Sequence, residues 1–371
     1  MQDNDDFIPF FDLSRQGAEH ISEWMNEIER IVRSGKFQSG PEVPGFEKAF
    51  AEWLGAADVV GCASGTDALE VALRAWQIGP GDEVIVPANT WVSDAEAVLF
   101  TGATPVFADV LDETGQLDPA GLEPLITEKT RVIIAVHMYG SVCDLGSIMQ
   151  IARRHNILVL EDCAHAIGLK TQWGMAGTLA DAAVFSFYPT KNLGAFGDAG
   201  CIASADSRFI DRVRLIRDHG QPVKDTHLIV GKTSRMDEIQ AAILFKKLLY
   251  VDQWNARRRD IAMSYATTIE SIQGIQMGFD LNQNAVVHLF ILRTSERDEF
   301  IQFMKKRGIG TAVHYPLPIP ITPAFQSGNY RGVWSVAERR AKTIVSLPVF
   351  PELTDGEIGR INDALVAFGQ K

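Results

Sequence analysis

The chain has 371 residues, 46% of them hydrophobic and 22% charged, with a formal net charge of −12. A chain of this size buries roughly 75% of its unfolded surface and exceeds the usual span of a single core, so a second domain is expected. The negative balance, without a Lys/Arg cluster to offset it, argues against nucleic acid and anionic membrane as partners. No apolar run reaches the roughly 18 residues of a membrane span. The acidic, polar Met1–Asp6 reads as neither a secretory signal nor a transit peptide. Cys62, Cys143, Cys163 and Cys201 form no CxxC pair. They read as buried thiols of a cytoplasmic protein.

Short apolar runs alternate with helical ones over the first 200 or so residues. Strands are predicted at Glu83–Val86, Pro105–Asp109, Val132–Val136, Leu158–Glu161, Ala182–Phe187 and Cys201–Ala203. Helices are predicted between most of them, at Thr66–Trp76, Ser93–Phe100, Leu145–His155 and Ser207–Arg217. This alternation predicts an α/β fold with a mostly parallel sheet covered on both faces. From Arg235 to Ile272 there is neither Gly nor Pro, which predicts one long helix, capped by Ser234 and bent along its length. A smaller second unit follows, with a strand at Val286–Arg293, a helix at Ser295–Arg307, a Pro-rich loop at Pro316–Pro323 and a closing helix at Thr354–Phe368. The boundary is placed near residue 250, giving 1–250 as the large domain and 251–371 as the small one.

Four segments carry chemistry. Lys191, in FSFYPTKNLGAFGDAG, follows a hydrophobic strand and opens a Gly-rich loop, where a sheet presents ligands. By itself it also reads as a solvated loop lysine. Ser64-Gly65-Thr66 precedes an amphipathic helix. Free N–H groups and the helix dipole make that turn an anion site, although an ordinary capped helix looks the same. Asp162 ends an apolar strand three residues before His165; it is a cap for the next helix or the partner of a cationic ring nitrogen. Trp91, in VPANTW, is either core or a stacking surface for a planar cofactor. Together they supply an amine, an anion cradle, a carboxylate and a flat aromatic face, the four needs of pyridoxal phosphate.

These motifs, with DHGQPVKDTHLIVGKTSRMDEIQAA and GTAVHYPLPIPITPAF, resemble the DegT/DnrJ/EryC1/StrS family of sugar aminotransferases over nearly the whole chain. The resemblance implies a fold-type I, aspartate-aminotransferase-like architecture: a large cofactor-binding domain, a smaller C-terminal α/β domain and a homodimer with shared active sites. It implies that Lys191 bonds the cofactor and that Asp162 pairs with the pyridine nitrogen. His165 stands where relatives have Gln or His near the phenolic oxygen. Gly65, Thr66 and Ser186 would hold the phosphate, and Trp91 would stack on the ring. Thr233 and Arg235 match the stretch that reaches the neighbouring subunit's cofactor, although relatives commonly have Asn at the position of Thr233. Tyr188, His314 and Tyr315 match positions near the sugar, and His219 is a family landmark; by themselves they also read as packing or loop residues.

The activity so implied is transfer of an amino group, with L-glutamate as donor, to a nucleotide-linked keto sugar. A dTDP-linked 3-keto-6-deoxyhexose is favoured. Gln221, Asp225 and Thr233 depart from that pattern, where Ser, Tyr and Asn are commoner. A 4-keto nucleotide sugar, a cyclitol ketone and a non-enzymatic sensory or regulatory role are the alternatives. Lys191 argues against the family's dehydratases, which resemble the same pattern with His replacing that lysine. The eight histidines show no HExxH or paired Cys/His spacing, so no metal is expected.

Overall fold

The computed structural model describes residues 7–370; Met1–Asp6, which bear on the targeting expectation, lie outside them. Two helices come first, α1 (Leu13–Ser34) and α2 (Glu42–Leu54). The large sheet then builds up through β1 (Asp58–Cys62), α3 (Gly65–Ala75), β2 (Glu83–Pro87), α4 (Ser93–Thr101), β3 (Thr104–Ala108), β4 (Thr130–Val136), α5 (Leu145–Arg154) and β5 (Leu158–Asp162). A short ribbon, β6 (Lys170–Thr171) and β7 (Gly174–Met175), precedes β8 (Ala182–Ser186), β9 (Gly200–Ser204) and α6 (Ser207–Arg217). The second part follows as α7 (Glu238–Lys247), α8 (Val251–Ile269), β10 (Gln276–Met277), β11 (Phe290–Arg293), α9 (Arg297–Lys306), α10 (Ser335–Ala341), β12 (Ile344–Leu347) and α11 (Asp355–Gly369).

The strand order is β1-β9-β8-β5-β4-β2-β3. Strands β3, β2, β4, β5 and β8 are mutually parallel, and β9 runs against both β8 and β1. The expected mostly parallel sheet is therefore present. Its strands are apolar on both faces because helices cover both. Beneath α2, Phe46, Phe50, Phe185 and Phe187 are fully buried and meet edge-on or stacked, with ring centroids 5.2–5.5 Å apart. The smaller sheet, β10-β11-β12, is antiparallel, and α11 packs on α8 and α9 beside it. One contiguous apolar cluster joins Leu73, Phe107 and Tyr139 to Tyr265, Phe290 and Phe350. All four cysteines are free and buried. Among the described residues, no helix is long and apolar enough to cross a membrane.

Three expectations are corrected. The run from Arg235 to Ile272 is two helices, α7 and α8, interrupted at residues 248–250. No Gly or Pro marks the break. Lys247, at the end of α7, is buried with its Nζ donating to the Gly194 carbonyl and Gln16 Oε1, both at 2.8 Å, and tertiary contacts override local propensity there. Ser234 does not cap α7: the N-cap is Asp237, and Ser234 lies buried ahead of it. Only the second half of Val286–Arg293 is strand. Val287 takes a φ of +42°, unusual for a β-branched residue, while Val286 N–H and Leu289 N–H donate to the carbonyls of Gly140 and Tyr139. That stretch spends its hydrogen bonds on a loop of the large sheet rather than on its own. The helices α1 and α2, strands β1, β6, β7, β10 and β12, and helix α10 were not anticipated.

Truncating Phe50 leaves a void between α2 and β8 that rigid aromatic neighbours fill poorly. Phe50→Ala should lower the unfolding free energy by about 3–5 kcal/mol, read from urea melts of the cofactor-free protein; a loss below 1 kcal/mol would show that the cluster collapses freely.

Candidate active site

Parallel strands deliver their C-terminal ends to one edge of the sheet, and the cavity lies there. It measures about 590 Å³ and is lined by Gly65, Thr66, Trp91, Asp162, His165, Ser186, Tyr188, Lys191, His314 and Tyr315, ten of the residues singled out in the sequence. Strand β1 leads to the turn that starts α3. There Ser64 caps the helix, its Oγ accepting from Asp67 N–H at 3.0 Å, and Gly65 and Thr66 follow in the first turn. Thr66 Oγ1 lies 2.7 Å from Ser93 Oγ at the start of α4. Ser186, the last residue of β8, faces Gly65: a Cβ on Gly65 would lie 2.7 Å from the Ser186 Cβ. Only glycine permits that approach, and the result is a cradle of N–H and hydroxyl groups at a helix N-terminus.

Lys191 stands in the loop after β8, tied back by its N–H to the Tyr188 carbonyl at 2.8 Å. Burial draws its ammonium down to about 8, against the pull of Asp162 and Asp94, so about a tenth is the free, nucleophilic amine at pH 7, far more than for an ordinary lysine. Asp162 ends β5 with its Oδ1 accepting from Ala164 N–H at 2.7 Å. Desolvation raises its carboxyl, partly countered by that N–H and by Lys191. His165 is pushed well below the usual imidazole range by burial, then by Lys191 and His314. Its Nδ1 accepts from Tyr139 N–H at 3.4 Å, which leaves Nε2 as the protonated nitrogen. His314 falls to about 4 through burial and Lys191, with Nδ1 2.7 Å from Ser346 Oγ. Trp91 and Tyr188 are more than half exposed at the mouth, and the Trp91 ring lies 5.5 Å from that of Tyr315.

An anion cradle, a desolvated amine, a buried carboxyl and an exposed indole around one space fit pyridoxal phosphate. The structure does not bring His219, Thr233 and Arg235 into this cavity. Thr233 Oγ1 bonds His219 Nε2 at 2.8 Å, and Arg235 pairs with Asp218; Thr233 and Arg235 border a separate depression beside Gln38 and Asp198.

Sequence reading missed Asp94, His288 and Arg258 on the wall. Asp94 was masked as an ordinary acid in the first turn of α4, and His288 sat inside a predicted strand. The ring of His288 lies 4.4 Å from that of His165, and its Nδ1 is 3.0 Å from Asn192 Oδ1. A buried trio, His137, Glu161 and Cys163, has metal-like spacing. Glu161 already accepts from Gly177, Leu179 and Ala180 N–H and lies 3.0 Å from His137 Nε2, so its oxygens are committed to the fold.

Gly65→Ala should weaken binding of pyridoxal phosphate at least about tenfold, the scale of losing one or two charge-assisted hydrogen bonds. Fluorescence titration of the cofactor-free protein measures it, and unchanged affinity would remove Gly65 and Ser186 from the cradle.

Residues 19–366 match the DegT/DnrJ/EryC1/StrS aminotransferase family. The dTDP-3-amino-3,4,6-trideoxy-alpha-D-glucose transaminase of Streptomyces venezuelae is 38% identical over 98% of this chain and 97% of its own. The pleiotropic regulatory protein of Geobacillus stearothermophilus is 40% identical over 97% and 98%. The crystal structure of NtdA from Bacillus subtilis with bound cofactor PMP superposes with a TM-score of 0.93 at 31% identity, covering 99% of this chain and 86% of that one.

Proposed function

Since the chain belongs to the DegT/DnrJ/EryC1/StrS aminotransferase family, whose enzymes use pyridoxal phosphate, we propose that it moves an amino group from L-glutamate to C3 of a dTDP-linked 3-keto-6-deoxyhexose. The observation that carries this reading is the convergence of Lys191, Asp162 and the Gly65–Ser186 cradle on one cavity. The C3 preference draws support from the S. venezuelae relative, whose name specifies a 3-amino sugar.

Bound in the cavity, pyridoxal phosphate supplies reversible exchange of amine for carbonyl and an electron sink for the carbon that loses its proton. Gly65, Thr66 and Ser186 would hold its phosphate and Trp91 would cover one face of its ring. Asp162 would hold the ring nitrogen protonated, a carboxylate gaining more from a cation when both are out of water. His165, neutral and with Nε2 carrying its proton, would donate to the phenolic oxygen. Lys191 Nζ would bind the cofactor and then, as the free amine, accept the donor's α-proton and return it. Tyr188, His314 and Tyr315 would position the sugar.

A homodimer completes the reading. Trp91 and Tyr188 leave the mouth open, and His219, Thr233 and Arg235 belong to a segment with Val223, Leu228 and Val230 exposed. In a dimer that segment would close the neighbour's site. The part up to residue 250 would carry the cofactor and residues 251–371 would cover it, through His288, His314 and Tyr315.

Borohydride reduction of the loaded protein, followed by peptide mapping, should place the pyridoxyl group on Lys191, and Lys191→Ala should lose turnover by at least about a thousandfold; label on another lysine ends the assignment. Mixing Lys191→Ala subunits with Arg235→Ala subunits should restore part of the activity that each lacks. Two folded parents giving inactive hybrids would argue for self-contained sites. With dTDP-linked 3-keto and 4-keto 6-deoxyhexoses and a cyclitol ketone on offer, NMR of the product should find nitrogen on C3. Amination at C4 alone, or of the cyclitol alone, rejects the substrate while leaving the transaminase.

A further inference from the structure

Asp94 lines the wall, and the reading above leaves its chemistry unused. It stands in the first turn of α4, three residues after Trp91, and is 1% exposed. One carboxyl oxygen, Oδ2, accepts from Thr90 Oγ1 at 2.6 Å. The other, Oδ1, is fully buried with no hydrogen-bond partner. An ionised carboxylate with a bare buried oxygen is costly. A neutral carboxylic acid resolves the cost: Oδ2 serves as the acceptor and Oδ1 carries a proton that needs an acceptor. Asp162 lines the same cavity, and its carboxyl acts on that of Asp94.

We propose that Asp94 is a positioning residue, held neutral, whose Oδ1–H donates to the Asp162 carboxylate and sets the direction and basicity of the group facing the cofactor's ring nitrogen. This rests on the assignment of Asp162 to that nitrogen. The charge arithmetic supports it. Two adjacent buried carboxylates cannot both ionise, so the pair carries one negative charge, matching one protonated ring nitrogen. Asp94 shares the cavity wall with Asp162 of β5, Lys191 of the loop after β8 and Tyr315 of the loop that precedes the Pro-rich stretch, and accepts from Thr90 of its own loop. Asp162 meets in addition Ala164 N–H and His137. Burial and the neighbouring Asp162 both push the Asp94 carboxyl well above the usual range, outweighing the Thr90 hydroxyl and Lys191.

The two protonation states of Asp94 give opposite signs in one measurement. In cofactor-free protein carrying 13Cγ-aspartate, the Asp162 carboxyl is titrated by NMR. If Asp94 is a neutral donor, Asp94→Ala removes a hydrogen bond from the Asp162 anion, and its titration midpoint rises by about one pH unit, equivalent to a tenfold change. Asp94→Asn keeps a donor and should show less than half that rise. A fall in Asp94→Ala, as loss of a neighbouring anion would give, or equal shifts in both variants, overturns the proposal. The second arm loads 15N-pyridoxal phosphate and reads the ring-nitrogen shift, which should move toward the neutral-ring value in Asp162→Asn and, more weakly, in Asp94→Ala. An unmoved nitrogen in Asp162→Asn refutes the assignment of Asp162, and with it the role of Asp94, whereas a moved nitrogen in Asp162→Asn with none in Asp94→Ala refutes Asp94 alone.

Discussion

Parallel pairing, with the antiparallel β9 returning β1 to the common direction, places the C-terminal ends of β1, β2, β5 and β8 along one edge of the sheet, and the chemistry of this protein depends on that alignment. Each strand end releases a short loop into the same space: the α3 turn with Gly65 and Thr66, the loop with Trp91 and Asp94, Asp162 itself, and the loop from Ser186 to Lys191. None of these groups is close to the others in sequence. Their convergence is a property of register, because Val136 pairs with Asp162 and Asp162 with Val184 across three adjacent strands.

The period-two alternation of β5 gives its two consecutive acids opposite duties. Glu161 turns to the face away from the cavity, where burial opposes its ionisation but His137 and the N–H groups of Gly177 and Leu179 outweigh it and hold it below the usual range. It fixes the loop at 177–180 and braces the end of the strand. Asp162, one residue later, faces the cavity with far fewer donors. The same strand thus supplies a saturated structural carboxylate and an under-satisfied one available to a cation.

Desolvation sets the charge of the other wall. His165, His288 and His314 are all driven toward the neutral form by burial and by the nearby Lys191. Neutral imidazoles can donate or accept without adding charge to a site that already holds an amine and a carboxyl pair. The second part of the chain contributes two of the three, and its strained stretch at Val287 places His288 beside His165 by bonding to the carbonyls of Tyr139 and Gly140.

By itself the sequence determined the large-sheet strands β2, β3, β4, β5, β8 and β9, the helices α3 to α6, and ten of the residues that line the cavity. Apolar runs buried on both faces and small or charged residues at their ends are local signals, and the motif resemblance tied them to one cofactor. Tertiary structure decided what depends on partners distant in the chain. The α7–α8 break follows a buried Lys247 held by Gly194 and Gln16. The failure of Val286–Leu289 to join a strand follows hydrogen bonds to Tyr139 and Gly140. Asp94 looked like any acid in a first helical turn, since the dipole favours acids there; only packing showed that one of its oxygens has no partner and that it shares a cavity wall with Asp162. His219, Thr233 and Arg235 carry the same lesson in reverse. Their motif was legible, but the fold sets them outside their own chain's cavity, because the strand ends that build the site do not lead to that segment.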